Sequence, residues 1–333
     1  MSGVSDSQPT NGAGRPQKPK APGKKEVKIL MLHGESSHLL YHSPVPFSSI
    51  PWPRPSPHLP YGHCRAVIST PPPHHSLINV NHHIQALTHI FPPGYTQSGP
   101  VFRAKTRALE KLLAKVLGPA SILPVLFYPT GPNRLSPKDI PGFVPPTDGG
   151  DAGNDEEEES DMWAWFRKDE HAGTYRFLDE GMATVAAAIK EAGGVDGVVG
   201  FSQGGMMAAV VAAAMEEDRP IPEGADADWA RTLREANGGK QLRFAVSYSG
   251  FYGPVDRLAW CYEPKIKTPT LQVLGSLDTV VEESRSQALV DRSQDPLVVT
   301  HPGGHYVPIS KEWVMPLAGF IKHHADTTPQ AEL

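Results

Sequence analysis

The hexapeptide Gly200-Phe201-Ser202-Gln203-Gly204-Gly205 sits between a mostly apolar run at 195–199 and an Ala/Met-rich stretch at 206–215. The first run reads as a buried strand and the second as a helix, so only a sharp turn fits between them, and glycine at 200 and 204 permits it. Such a turn lifts a serine clear of a sheet. A serine hydroxyl is a weak nucleophile at neutral pH and gains reactivity only where an imidazole can take its proton. Ser202 is therefore the candidate nucleophile. Gly-x-Ser-x-Gly alone recurs by chance; the strand before it, the helix after it and suitable partners downstream give it weight.

Both partners follow in the chain. Residues 268–275 read as a strand entered through Pro269, and Ser276-Leu277-Asp278 follows as a loop, which makes Asp278 the candidate acid. A second run of β-formers at 297–300 is entered through Pro296. The loop His301-Pro302-Gly303-Gly304-His305-Tyr306-Val307-Pro308 leaves its end, and a helix at 311–323 follows. His305 is the candidate base: it would deprotonate Ser202 and later protonate the leaving group, while Asp278 fixes its tautomer and stabilises the imidazolium. Three alternatives stand beside this assignment. Asp278 also suits the N-cap of a helix at 281–290, His301 is a rival base that abuts its strand, and Asp256, after a strand at 244–249, is a rival acid.

The remaining elements complete an α/β pattern. Strands at 27–32, 121–128, 197–200, 244–249, 270–274 and 297–300 largely alternate with helices at 101–117, 175–192, 203–217, 282–290 and 311–323. This predicts a mostly parallel sheet covered by helices on both faces, with its ligand beyond the carboxyl ends of the strands. Residues 27–325 are expected to form one domain, between a disordered tail at 1–26 and a short C-terminal tail at 326–333. The first tail is rich in Ser, Gly, Pro and Lys without an apolar stretch, so it reads as neither a signal peptide nor a membrane span. A net charge of −5 gives no reason to expect a nucleic-acid partner. Cys64 and Cys261 are the two cysteines, too few for a disulfide framework. A cytoplasmic location is expected, with the nucleus as an alternative.

Two stretches resist assignment. Residues 131–173 carry an acidic run at 148–161 followed by Met162-Trp163-Ala164-Trp165-Phe166. The acidic run reads as a solvated loop. Trp163, Trp165 and Phe166 are either core for the next helix or an apolar wall that binds the acyl group of a substrate. Residues 218–240 read as a surface excursion without a role.

Taken together, Lys28-Ile29-Leu30-Met31-Leu32-His33-Gly34, Gly94-Tyr95-Thr96-Gln97-Ser98-Gly99, the Ser202 turn, Ser249-Gly250-Phe251 and the loop at 301–308 resemble the FSH family of serine hydrolases. That family includes fungal members and the animal ovarian-cancer-associated hydrolase. The order Ser202, Asp278, His305 is also that of α/β-hydrolases. The resemblance implies an α/β-hydrolase fold acting without a cofactor on a small-molecule carboxylic ester or thioester. The substrate would be free or bound to a carrier protein, as in fungal relatives that release acyl chains from polyketide synthases. A fold retained without turnover, binding an acyl ligand, is the alternative.

One segment departs from the family pattern. Its first strand should run from His-Gly directly into Gly-Tyr-Thr-Gln-Ser-Gly, but here residues 35–93 intervene. They hold 9 of the 15 histidines and 12 of the 35 prolines with only Glu35, Arg54 and Arg65 charged, and show no sustained period, which argues against an ordered fold. His74-His75 and His82-His83 suggest metal binding but lack partners at ligand spacing. A disordered insertion and a retained intron are the other readings, and the intron is favoured. Gly34-Glu35-Ser36 is encodable as a splice donor, Leu87-Thr88 as a branch site and Pro93-Gly94 as an acceptor, and splicing would restore His-Gly-Tyr-Thr-Gln. The segment bears on chemistry because acyl transfer needs two backbone N–H groups at the developing oxyanion. Gln203 should supply one, and Tyr95 or Thr96 the other.

Overall fold

The computed structural model describes residues 24–34, 97–136, 161–169, 171–224 and 227–325. The His-rich interruption, the acidic run up to residue 160 and most of both tails lie outside the described residues. β1 (Lys25–Leu32), α1 (Gly99–Leu117) and β2 (Ile122–Phe127) come first. Four short strands follow, β3 (Asn133–Arg134), β4 (Trp163–Ala164), β5 (Arg167–Asp169) and β6 (Thr174–Arg176), and lead into α2 (Leu178–Glu191). After them come β7 (Gly197–Phe201), α3 (Gln203–Ala214), α4 (Asp228–Ala236), β8 (Phe244–Tyr248) and α5 (Ala259–Tyr262). β9 (Thr270–Gly275), α6 (Glu283–Val290), β10 (Leu297–His301) and α7 (Lys311–Ala325) complete the order.

Six strands form one sheet in the order β10-β9-β8-β7-β1-β2, and every neighbouring pair is parallel. This is the α/β-hydrolase type of sheet. From β1 the chain winds outward to β2, then returns to the other side of β1 and proceeds through β7 to β10. The winding direction reverses between β1 and β7. In open parallel sheets ligands collect beyond the strand ends at such a switch point, and Leu32 with Gly200, the last pair between those two strands, marks it here.

Side-chain alternation explains the layers. On β1, Val27, Ile29 and Met31 join a core with Phe102, Leu109 and Leu113 of α1 and Leu317 and Ile321 of α7. Leu30 and Leu32 face a second core built on α2, α3 and α4. Helix α1 forms because Phe102, Thr106, Leu109, Leu113 and Leu117 recur on one face, with Ser98 as N-cap and a proline in the first turn. Helix α3 has no polar face, and all its residues are buried. Just past its end a buried ion pair, Glu216 with Arg219 at 2.7 Å, locks it to the entry of β9. Arg219 donates to the carbonyls of Trp260, Pro264 and Lys265, and Glu216 accepts from the Thr268 amide at 2.8 Å. Removing one partner of such a pair typically costs about 3–5 kcal/mol.

Several boundaries differ from the sequence reading. β1 starts at Lys25, inside the stretch assigned to the tail. The helix expected from 175 begins at Leu178, because Tyr175 belongs to β6 and Phe177 takes a left-handed backbone with φ 62°. Residues 218–240 contain α4, which buries Trp229, Ala230 and Leu233. Among the described residues no helix is long and apolar enough to cross a membrane.

Candidate active site

Ser202 follows β7 directly with φ 54° and ψ −115°, a conformation that a side chain disfavours and that surrounding structure must enforce. Its N–H donates to the Tyr248 carbonyl at 2.8 Å, and its own carbonyl accepts from the amides of Gly205 and Met206. The glycines of the motif have a steric cause. A β-carbon at 200 would lie 1.8 Å from the Gly204 carbonyl oxygen, and one at 204 would lie 2.3 Å from the oxygens of both Leu32 and His33. Gly34 presses on the serine itself, since a β-carbon there would fall 2.6 Å from Ser202 Cβ.

The loops after β9 and β10 run side by side. Ser276 N–H donates to the His301 carbonyl at 2.9 Å and Leu277 N–H to the Gly303 carbonyl at 3.0 Å. This brings Asp278 Oδ2 to 2.8 Å from His305 Nδ1, with each side chain only 7% exposed. The other carboxylate oxygen, Oδ1, accepts from the amides of Val280 and Val281, both at 2.9 Å. Burial pushes the Asp278 carboxyl up. The hydrogen bond and charge of His305, with the two amides, outweigh it and leave the pKa below the ordinary 3.8. An ionised carboxylate only accepts, so Nδ1 donates to it, and in the neutral imidazole that tautomer leaves the lone pair on Nε2. Among the described residues Nε2 is buried without a hydrogen-bond partner, and the ring lies 4.7 Å from that of Phe201, the residue before Ser202.

The rivals are placed differently. Asp256 is exposed in a single 3-10 turn. His301 ends β10, accepts the Gly303 amide on Nδ1 at 3.2 Å and packs against Tyr306 and Trp313. The N-cap expectation for Asp278 is partly realised, since Oδ1 holds a turn, although α6 is preceded by Glu282 rather than Asp278.

Tyr95 and Thr96 lie outside the described residues. Gln97 and Ser98 are buried, and Ser98 Oγ donates to Asp161 Oδ2 at 2.5 Å. Trp165 and Phe166 are buried, so their rings present no surface to solvent. Phe166 packs on Tyr175. Trp163 is partly exposed, with its indole N–H on Asp161 at 2.8 Å and Arg134 over its ring. Sequence reasoning missed His33 and the side chain of Gln203, which tie this segment to the serine turn. His33 is fully buried; its Nε2 accepts from the Gly131 amide at 2.8 Å. Burial, opposed by the charge of Asp161, holds its pKa down to about 3. Its position beside Gly34 was the available signal. Among the described residues no cluster of three or more His, Cys, Asp or Glu side chains is placed to hold a metal.

The chain is similar to several known proteins. A Schizosaccharomyces pombe protein named dihydrofolate reductase is 30% identical over 229 residues, which cover 65% of this chain and 42% of that protein. The chain thus spans less than half the length of that relative. Esterase OVCA2 of Danio rerio is 28% identical over 245 residues, covering 69% of this chain and 93% of the esterase. The crystal structure of SOBER1 from Arabidopsis thaliana aligns with a TM-score of 0.45 and 15% identity over 90% of this chain and all of that one. A family model described as Serine hydrolase (FSH1) matches residues 85–317. That match begins after β1 and most of the interruption, and it takes in Ser202, Asp278 and His305. Because it spans well over half of the sequence, the chain belongs to the FSH1 family of serine hydrolases.

Proposed function

We propose that the chain hydrolyses carboxylic esters or thioesters through an acyl intermediate on Ser202. His305 Nε2 takes the Ser202 proton as Oγ attacks the acyl carbon. The C–O or C–S bond then breaks, and the leaving group departs with that proton. Water repeats the sequence and frees the acid. Asp278 keeps the imidazole in the tautomer this requires. The backbone N–H of Gln203, with that of Tyr95 or Thr96, would meet the oxyanion. The observation that carries the reading is the Asp278–His305 bond, which leaves a buried, unpartnered Nε2 beside the residue preceding Ser202. The substrate is a small acyl ester or thioester, free or on a carrier protein, and the setting is the cytoplasm.

The test is covalent labelling with a fluorophosphonate probe together with hydrolysis of a p-nitrophenyl ester. Ser202→Ala removes one hydroxyl and no core volume, so it should abolish both signals while leaving the thermal transition cooperative. Turnover surviving in the purified variant would sink the assignment.

A further inference from the structure

Every polar group of Trp165 is engaged. Its backbone N–H donates to Gln203 Oε1 at 2.7 Å. Its carbonyl accepts from Asn133 Nδ2 at 3.1 Å, and its indole N–H donates to the His33 carbonyl at 2.8 Å. Gln203 completes a two-point grip, its Nε2 donating to the Phe166 carbonyl at 2.9 Å. The indole also stacks on the His33 ring, with centroids 4.8 Å apart and planes 29° from parallel. Trp165 is itself fixed from behind, because its carbonyl oxygen would lie 2.2 Å from a β-carbon at Gly181.

Two partners of Trp165, His33 and Gln203, stand where the sheet stops holding the chain. The register of β1 with β7 ends at Leu32 opposite Gly200. His33 lies one residue beyond it on one strand, and Gln203 begins α3 on the other side of Ser202. Acyl transfer, as proposed above, requires the N–H of Gln203 to point at the developing oxyanion. We propose that Trp165 is a positioning residue that holds the end of β1 against the first turn of α3, and so aims the Gln203 N–H at the developing oxyanion. It touches no substrate, being fully buried.

The inference rests on the acyl-transfer reading, and one experiment separates the two. Trp165→Phe keeps the ring stack and removes the indole N–H; Gln203→Met keeps the backbone N–H and removes the grip from the other side. Both variants of the full chain, and the unchanged chain, are assayed on a p-nitrophenyl ester. Rates are divided by the number of sites titrated with fluorophosphonate, so partial unfolding does not enter the kcat. Each variant should lose about tenfold in kcat per titrated site with KM within about twofold, as expected for a sub-ångström displacement. Affinity for a trifluoromethyl ketone, which places an oxyanion on Ser202, should fall by the same factor. Unchanged per-site kcat and ketone affinity would overturn the role of Trp165 while leaving Ser202 in place. Loss of the cooperative thermal transition in both variants would also overturn it, marking the bonds as folding contacts. No labelling of Ser202 in the unchanged chain would remove the acyl-transfer reading and the inference with it.

Discussion

The two flanks of Ser202 are held by different means. On the β9–β10 side, Asp278 and His305 stand on short loops that bond to each other through their own backbones, at Ser276–His301 and Leu277–Gly303. On the β1 side the chain leaves at Gly34 and is next described at Gln97. There the strand end is held by side chains from distant segments, Trp165 above all. A short loop pinned by its own amides tolerates little insertion. A central strand paired along both edges, with its end clamped by an indole, keeps its place whatever chain follows.

The largest effect belongs to the first flank. Asp278→Asn keeps the geometry but offers an amide where the imidazole needs an acceptor, favouring the wrong tautomer. A fall of about 10³–10⁴ in kcat is expected, by analogy with the same change in serine proteases. The parent should also be more stable than the variant at neutral pH, and that advantage should shrink only in acid. The folded carboxyl titrates below 3.8, so its contribution is present above that value and lost as pH falls through the lower folded pKa. An Asn variant with wild-type turnover would move the acid role elsewhere and dissolve the contrast between the flanks.

The second flank should reveal itself through acid sensitivity. His33 is held near pKa 3 by burial against an ordinary 6.5, so between those values the unfolded chain binds a proton that the folded chain refuses. Stability from this site is full above pH 6.5 and drains as pH falls toward 3. The loss approaches a thousandfold in the folding equilibrium. His33→Gln keeps an acceptor for the Gly131 amide and removes the titration. Urea midpoints measured from pH 7 to 4 should fall steeply for the parent and less for the variant. Parallel slopes would show that His33 is not the acid trigger.

The contrast also marks how much was legible in the sequence. The chain order of Ser202, Asp278 and His305, the strands that carry them and the parallel class followed from local signals: a Gly-flanked turn, prolines at strand entries and apolar runs of strand length. Residues whose role depends on tertiary contact were hidden. Trp165 read equally well as core or as a ligand wall, because no periodicity marks where an indole N–H finds a carbonyl. Phe177 breaks a helix with a positive φ but without the glycine that would announce it. α4 was masked by the Pro- and Asp-bearing stretch around it, although Trp229 and Leu233 have helical spacing.

Removing the interruption tests the β1 flank directly. Deleting residues 35–93 with one flanking glycine joins His33-Gly to Tyr95-Thr96 and offers a second backbone donor opposite Gln203. Turnover should rise by roughly a hundredfold, the usual worth of one oxyanion donor. The short form should be at least as stable, since each doubling of loop length costs only about 0.6 kcal/mol. Equal ester turnover in the two forms would mean that the inserted chain does not cost the site its second donor.

The smallest effect is expected back on the first flank, at the histidine to which the proposal gives no role as base. His301 lends Nδ1 to the Gly303 amide and rests against Tyr306 and Trp313, so it shapes the loop that carries His305 without reaching the serine. His301→Ala removes one neutral hydrogen bond of about 1 kcal/mol, and the parallel bonds from Ser276 and Leu277 remain. A loss of no more than about fivefold in kcat is the outcome, against near-complete loss in His305→Ala, because members of a catalytic unit fail together. Assayed side by side, the two variants rank the histidines. If His301→Ala is the inactive one, the base has been placed on the wrong side of the two glycines, and the backbone-zipped loop is scaffold for a different residue.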